Sequence, residues 1–203
     1  MISIVDYGSG NIRAIGNIYD RAKIQYRVVT TADELSKASK IILPGVGAFD
    51  ETMAKLNESG LKAVLDQKVL NELTPVLGIC VGMQIMANSS DEGNESGLGW
   101  IPGKVKLFDT TLLQKPKIPH LGWNSVDIVK ETGLLKGVNY EQGFYFIHSY
   151  YYEVDDSTHT MTKTFYGNNF TSSINKGNIY GTQFHPEKSH TNGMSVLTNF
   201  ANL

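Results

Sequence analysis

The chain has a single cysteine, and it stands between two glycines in "GICVG", residues 78–82. Cys80 supports two readings. Free cysteine is often a small buried hydrophobe. A cysteine at a sharp strand-to-helix turn is instead a nucleophile pushed out of the backbone, with the helix N-terminus favouring its thiolate. The spacing alone does not choose between these readings; a base must. Among the histidines, His159 lies in a polar stretch and reads as exposed, while His120 in "IPHLGW" and His148 in "YFIHSY" read as hydrogen-bonded structural residues. His185, in "GTQFHPEKS", differs because it ends an apolar run two residues before Glu187. In extended backbone, residues i and i+2 face the same side, so the carboxylate orients the imidazole and stabilises its protonated form. Cys80, His185 and Glu187 thus make a candidate Cys-His-acid triad for acyl transfer. The oxyanion of such a reaction needs N–H donors, and "PGVG" offers those of Val46 and Gly47, with Val81 the usual second donor in an elbow.

These groups can act together only if the elements carrying them share an edge. "ISIVDY" reads as a buried strand, and Ile12, Ile15, Tyr19 and Ala22 then recur on one helix face. "YRVVT" and "KIILPG" read as the next strands, the latter stopped by Pro44 and Gly45. Phe49, Met53 and Leu56 mark a helix, and Leu61, Val64 and Leu65 continue the apolar pattern beyond Gly60. "TPVLGIC" is a further strand and "VGMQIMANS" the short helix after it. This alternation predicts a parallel sheet with crossover helices. Downstream, "GKVKLF", "NSVDIV", "GFYFIHSYYYEV", "HTMTKTFY", "NFTSSI" and "NIYGTQF" are aromatic and β-branched, separated by Gly and Asn turns, and predict antiparallel strands. Met194, Leu197 and Phe200 close the chain as a helix. The expected fold is α/β: a single three-layer domain, its central sheet mostly parallel with helices on both faces and an antiparallel extension. In an open α/β sheet, ligands sit beyond the carboxyl ends of the strands. "DYGSGN", "PGVGAF", "GICVG" and "QFHPEKS" all fall at such ends, which brings the candidate chemistry to one edge.

The bulk composition excludes several classes. A length of 203 residues, 19% charged residues and a net charge of -2 give one ordinary domain without the basic footprint of a nucleic-acid or anionic-lipid binder. One cysteine makes no internal disulfide, which suits a reducing compartment. "MISIVDYGSGNIRA" reads as a first strand rather than a signal peptide, and no apolar run approaches the roughly 20 residues that cross a bilayer. A cytoplasmic protein is expected. "GSGNIR" begins like a dinucleotide loop, but Arg13 fills the third glycine position. "HPE" matches the H-x-E of zinc deaminases without their paired cysteines. Neither a metal nor a cofactor is expected.

The order of nucleophile in G-x-C-x-G, then H-P-E near the C-terminus, resembles the class I (triad) glutamine amidotransferases. "VDYGSGN", "LPGVGAF", "GICVGMQ", "PHLGWN", "YFIHSYY" and "GTQFHPEKS" resemble, more narrowly, the branch whose glutaminase subunit feeds ammonia to a cyclase in histidine biosynthesis. The resemblance runs over nearly the whole chain and implies one amidotransferase domain over residues 1–203. It implies that Cys80 attacks the side-chain amide of L-glutamine, that His185 protonates the departing ammonia and that Glu187 keeps His185 aligned. It places Gln84 and Glu92 at the amino-acid head, Glu92 against the α-ammonium, with Gly47 and the backbone around Ser149 and Tyr150 completing the pocket. The peptide at Val46 is expected to reorient when the partner, a (β/α)8-barrel cyclase subunit in a heterodimer, engages the chain. Asn11 and Lys188 are the expected interface residues. Val81 in place of a frequent leucine, and the less acidic "MANSSDEG", resemble paralogues that supply a surface-sugar-modifying partner instead. A small peptidase and a non-catalytic binding module are the readings from other classes.

Overall fold

Three apolar runs are buried along their whole length: β1 (Ile2–Val5), β3 (Ile41–Gly45) and β4 (Val76–Cys80). Such runs belong to the middle of a parallel sheet covered on both faces. The computed structural model describes residues 1–112 and 117–203. Around the buried strands the first half adds α1 (Ile12–Arg21), β2 (Tyr26–Val29), α2 (Ala32–Ser36), α3 (Phe49–Glu58), α4 (Lys62–Asp66) and α5 (Val81–Gln84). The second half supplies β5 (Ser89–Ser90), β6 (Gly103–Leu107), β7 (His120–Asn124), β8 (Asp127–Ile128), β9 (Phe144–His148), β10 (Tyr150–Val154), β11 (Thr160–Tyr166), β12 (Asn168–Lys176), β13 (Ile179–Thr182) and α6 (His190–Asn202).

The central sheet runs β2-β1-β3-β4-β13-β12-β10-β6-β5. Its first five strands are mutually parallel. From β13 onward the pairing turns antiparallel, through β12, β10 and β6, as the change in composition predicts. Helices pack in pairs, α1 against α6, α3 against α5 and α2 against α4, with α5 lying directly on β3, β4 and β13. No helix among the described residues is long and apolar enough to cross a membrane.

Four details differ from the sequence expectation. "GFYFIHSYYYEV" is not one strand. It breaks at Ser149, and β9 pairs with β7 in a separate two-stranded ribbon while β10 stays in the main sheet. The helix after Cys80 is a single turn, because Ile85 to Ala87 leave it through tighter turns. "NSVDIV" contributes only two residues of strand. Helix α2 went unread, although Thr31 and Glu34 form a capping box at its start, each side chain satisfying an orphan N–H of the other's backbone.

Candidate active site

Register places Gly45 directly beside Cys80 at the carboxyl ends of β3 and β4, with β13 on the other side of β4. Cys80 has φ +54 and ψ −113, a region that L-residues rarely occupy. Holding it there costs about 1–3 kcal/mol, which the packing around it must supply. That packing is tight enough to demand both flanking glycines. A Cβ on Gly82 would lie 2.0 Å from the Leu43 carbonyl oxygen, and one on Gly78 would lie 2.6 Å from the Gly82 carbonyl oxygen. The G-x-C-x-G spacing is therefore the condition for α5 to sit directly on β3 and β4, with Cys80 at the turn.

His185 follows β13 and is buried; its Nδ1 and Glu187 Oε1 are 2.8 Å apart. Extended backbone, expected from the sequence, is not what makes this contact. Residues 186–188 form a 3₁₀ turn opened by Pro186, and this turn folds the carboxylate back beneath the ring. Ser189 Oγ donates to the His185 carbonyl at 2.6 Å and accepts from Tyr145 N–H at 3.0 Å, which fixes the turn to β9. His185 Nε2 and Glu187 Oε2 are buried without a hydrogen-bond partner among the described residues. Burial by itself lowers the His185 pKa, but the proximity of Cys80 and then of Glu187 outweighs it, pushing the value up to about 10. A buried imidazole held as its cation beside a cysteine can give up a proton to a group bound there.

These groups share a cavity of about 410 Å³. Val46, Gly47, Cys80, Val81, Gln84, Glu92, Ser149, Tyr150, His185 and Lys188 all line it, so ten of the expected site residues meet in one place. Glu187 does not line it and stands behind His185. Asn11 does not line it either; it precedes α1, which packs on the turn at 186–188. Lys188 extends along the rim with its ammonium 5.5 Å from the centre of the Tyr145 ring.

The glutamate and glutamine of the site are held by named contacts. Glu92 Oε2 accepts from Phe49 N–H at 2.8 Å, satisfying the start of α3, and Ser90 Oγ accepts from Glu92 N–H at 3.0 Å. Asp50 accepts from the N–H groups of Asn94 and Glu95 at 2.8 and 3.0 Å, tying down the same loop. Gln84 Nε2 donates to the Tyr150 carbonyl and to Gln183 Oε1, each at 3.0 Å. Gln183 Nε2 in turn lies 3.7 Å from Cys80 Sγ.

One expected oxyanion donor is not free. Val46 N–H donates to Ser9 Oγ at 3.0 Å, and the same hydroxyl donates to the Val46 carbonyl at 3.0 Å. The two bonds fix this peptide toward Ser9, leaving Gly47 and Val81 as the remaining candidates. Gly47, at φ +98, holds a conformation that glycine adopts without strain. The site also takes in Ser9, Gln183 and the wall residues Pro119 and Ile147, which no sequence expectation named for it, and His148, expected as a structural histidine, lines the wall as well. Ser9 and Gln183 did stand inside the quoted motifs "DYGSGN" and "QFHPEKS", but only contact geometry gives them partners. No group of three or more His, Cys, Asp or Glu side chains poised for a metal occurs among the described residues.

A strained cysteine at the end of a parallel strand and a buried histidine–glutamate pair meet at one cavity on an α/β sheet, an arrangement that fits acyl transfer. The model of the family described as "Glutamine amidotransferase class-I" matches residues 3–202. The chain belongs to that family and is, by that membership, a glutamine amidotransferase. Within the family it is 51% identical to the Bdellovibrio bacteriovorus protein named "Imidazole glycerol phosphate synthase subunit HisH", over the full length of both chains. It is 49% identical to the Leptospira borgpetersenii protein of the same name, again over the full length of both. The fold is similar to that of PurLQS from Thermotoga maritima, with a TM-score of 0.74 at 17% identity, covering 99% of this chain and 97% of that one.

Proposed function

We propose that this chain is the glutaminase subunit of an imidazole glycerol phosphate synthase, hydrolysing glutamine and passing the ammonia to a cyclase subunit in histidine biosynthesis. The observation that carries the reading is the meeting of Cys80, His185 and the Glu187 behind it with Gln84 and Glu92 around one cavity. The full-length relatives named for that subunit support the pathway.

Cys80 Sγ attacks the side-chain carbonyl carbon of glutamine, and the carbonyl oxygen gains the charge that Gly47 and Val81 N–H groups stabilise. His185 gives its proton to the departing nitrogen, which leaves as ammonia with a thioester on Cys80. Water then adds to the thioester with His185 as base, and glutamate departs as the thiol is restored. Glu187 holds the ring and stabilises its cation throughout. Glu92 meets the α-ammonium by charge pairing, and the Ser149–Tyr150 backbone closes the head of the pocket. The Ser9 contacts withhold the Val46 N–H as a third donor, and its release on docking gives the partner a way to raise the rate.

The docking surface in this reading surrounds the cavity mouth. Leu121, Trp123 and Ile147 are exposed on the outer side of the β7–β9 ribbon, and Val46 is exposed at the rim. A contiguous apolar patch with a cationic edge suits a protein partner, and Lys188 supplies that edge, with Asn11 nearby at the start of α1. Ammonia released at Cys80 then faces the (β/α)8 barrel.

The test is glutamate release from glutamine by wild type and by Cys80→Ala, each with and without a cyclase subunit. Release that rises with the cyclase and is lost in Cys80→Ala is the expected result. Release unaffected by Cys80→Ala would overturn the mechanism. Cys80-dependent release that no cyclase stimulates would redirect the assignment to a sugar-modifying partner.

A further inference from the structure

The β7–β9 ribbon stands outside the central sheet, yet its inner face reaches the cavity through a continuous line of hydrogen bonds. Register sets His120 directly opposite His148, and both are buried. Asn124 Nδ2 lies 3.2 Å from His120 Nε2, His120 Nδ1 lies 3.2 Å from His148 Nε2, and His148 Nδ1 lies 2.7 Å from the Tyr150 carbonyl. The direction of this line is fixed by elementary chemistry. A carbonyl only accepts, so His148 Nδ1 must carry the proton and His148 Nε2 must be the acceptor. His120 Nδ1 must then donate, and His120 Nε2 accepts from the Asn124 amide.

The line ends where the site begins. The Tyr150 carbonyl accepts from His148 on one lone pair and from Gln84 Nε2 on the other. The second proton on Gln84 Nε2 goes to Gln183 Oε1. Both amide protons of Gln84 are thereby used, so Oε1 is the amide atom left for a ligand, and the cavity wall presents an acceptor there.

We propose that His120 and His148 are positioning residues for glutamine: by fixing the Tyr150 carbonyl they orient Gln84 as an acceptor toward the donors of the substrate. This rests on the reading of the cavity as a glutamine site and adds the groups that set its affinity. Burial supports the one-way line. It lowers the pKa of His120 to about 4, and it lowers that of His148 to about 3 with help from the charge of His120, so both rings are neutral around pH 7 and each nitrogen keeps one role. His120 is stacked between Phe146 and Tyr166, with ring centroids 4.7 and 4.1 Å away, which fixes the plane of its ring.

The experiment measures KM and kcat for glutamine in wild type, His120→Leu, His148→Leu and His148→Asn, each in complex with the cyclase subunit. The asparagine amide nitrogen can stand where His148 Nδ1 stands and donate to the Tyr150 carbonyl. Expected is a rise in KM of about tenfold in both leucine variants, the scale of one lost buried hydrogen bond, with kcat within about threefold of wild type. His148→Asn should recover most of that rise. KM within twofold of wild type in folded leucine variants would overturn the proposal. So would an equal fall in kcat in all three variants together with a lowered melting temperature, the mark of a merely structural role. A wild type without Cys80-dependent release would instead remove the glutaminase reading itself, and the proposal with it.

Discussion

Two buried side-chain pairs each place one histidine on the wall of the same cavity, and these two histidines shift in opposite directions. His185 is pushed up to about 10, whereas His148 is pushed down to about 3. Both rings are almost fully shielded from solvent, so burial is not what separates them. The neighbours are. His185 has a carboxylate at 2.8 Å and a cysteine beside it, two groups that reward a positive ring. His148 has an imidazole at 3.2 Å and the His185 ring nearby, both of which oppose a positive charge, and its bond to a carbonyl at 2.7 Å offsets only part of that penalty. Desolvation sets the penalty for an ion; the partner decides whether it is met. One fold thereby holds one histidine as a cation and another as a neutral ring on the wall of the same cavity.

The largest expected effect comes from erasing that distinction at Glu187. Glu187→Gln keeps the shape and an acceptor oxygen but removes the charge. The His185 pKa should fall, because one of the two groups raising it is gone, and glutaminase kcat should drop by about 10²–10⁴-fold, the range that positioned acid–base catalysis supplies. KM should change little, since Glu187 does not line the cavity. Titration of the ring by NMR alongside steady-state kinetics checks both. A kcat within a few fold of wild type, with the ring pKa unmoved, would mean that Cys80 alone makes His185 basic.

This contrast was only half legible in the sequence. The His185–Glu187 pair is local, two residues apart, and could be read from spacing even though the turn that makes it is not a strand. The partners of His148 are His120, 28 positions upstream, and a carbonyl whose direction depends on where β9 stops. The break at Ser149 carries no proline or glycine and lies inside a run of aromatic residues that reads as continuous strand. Without that break the ribbon, its inner face and the histidine line are all invisible. The parallel half was read more fully because buried central strands and their glycine joints each leave a local mark, and Cys80 inherits its geometry from two such glycines. The Ser9 contact with Val46 spans 37 positions and has no local mark at all.

A smaller effect tests the other pair by its stability. His120 and His148 are neutral in the folded protein down to about pH 4 and about pH 3, whereas an unfolded histidine takes a proton near 6.5. Below pH 6.5 the unfolded chain therefore binds protons that the folded chain refuses, so stability is full above that pH and declines as pH falls toward the folded values. Each histidine contributes a slope of at most about 1.4 kcal/mol per pH unit. His120→Asn retains a donor toward His148 but cannot titrate, and it should remove one proton's share of that slope between pH 6.5 and 5, whatever it does to the stability at pH 7. Urea unfolding at several pH values in this window gives the slope directly. The carboxylates contribute similarly in both proteins, so the difference between the slopes isolates His120. An unchanged slope would mean that His120 takes up its proton as readily folded as unfolded, and the two buried histidine pairs would then differ less than their surroundings require.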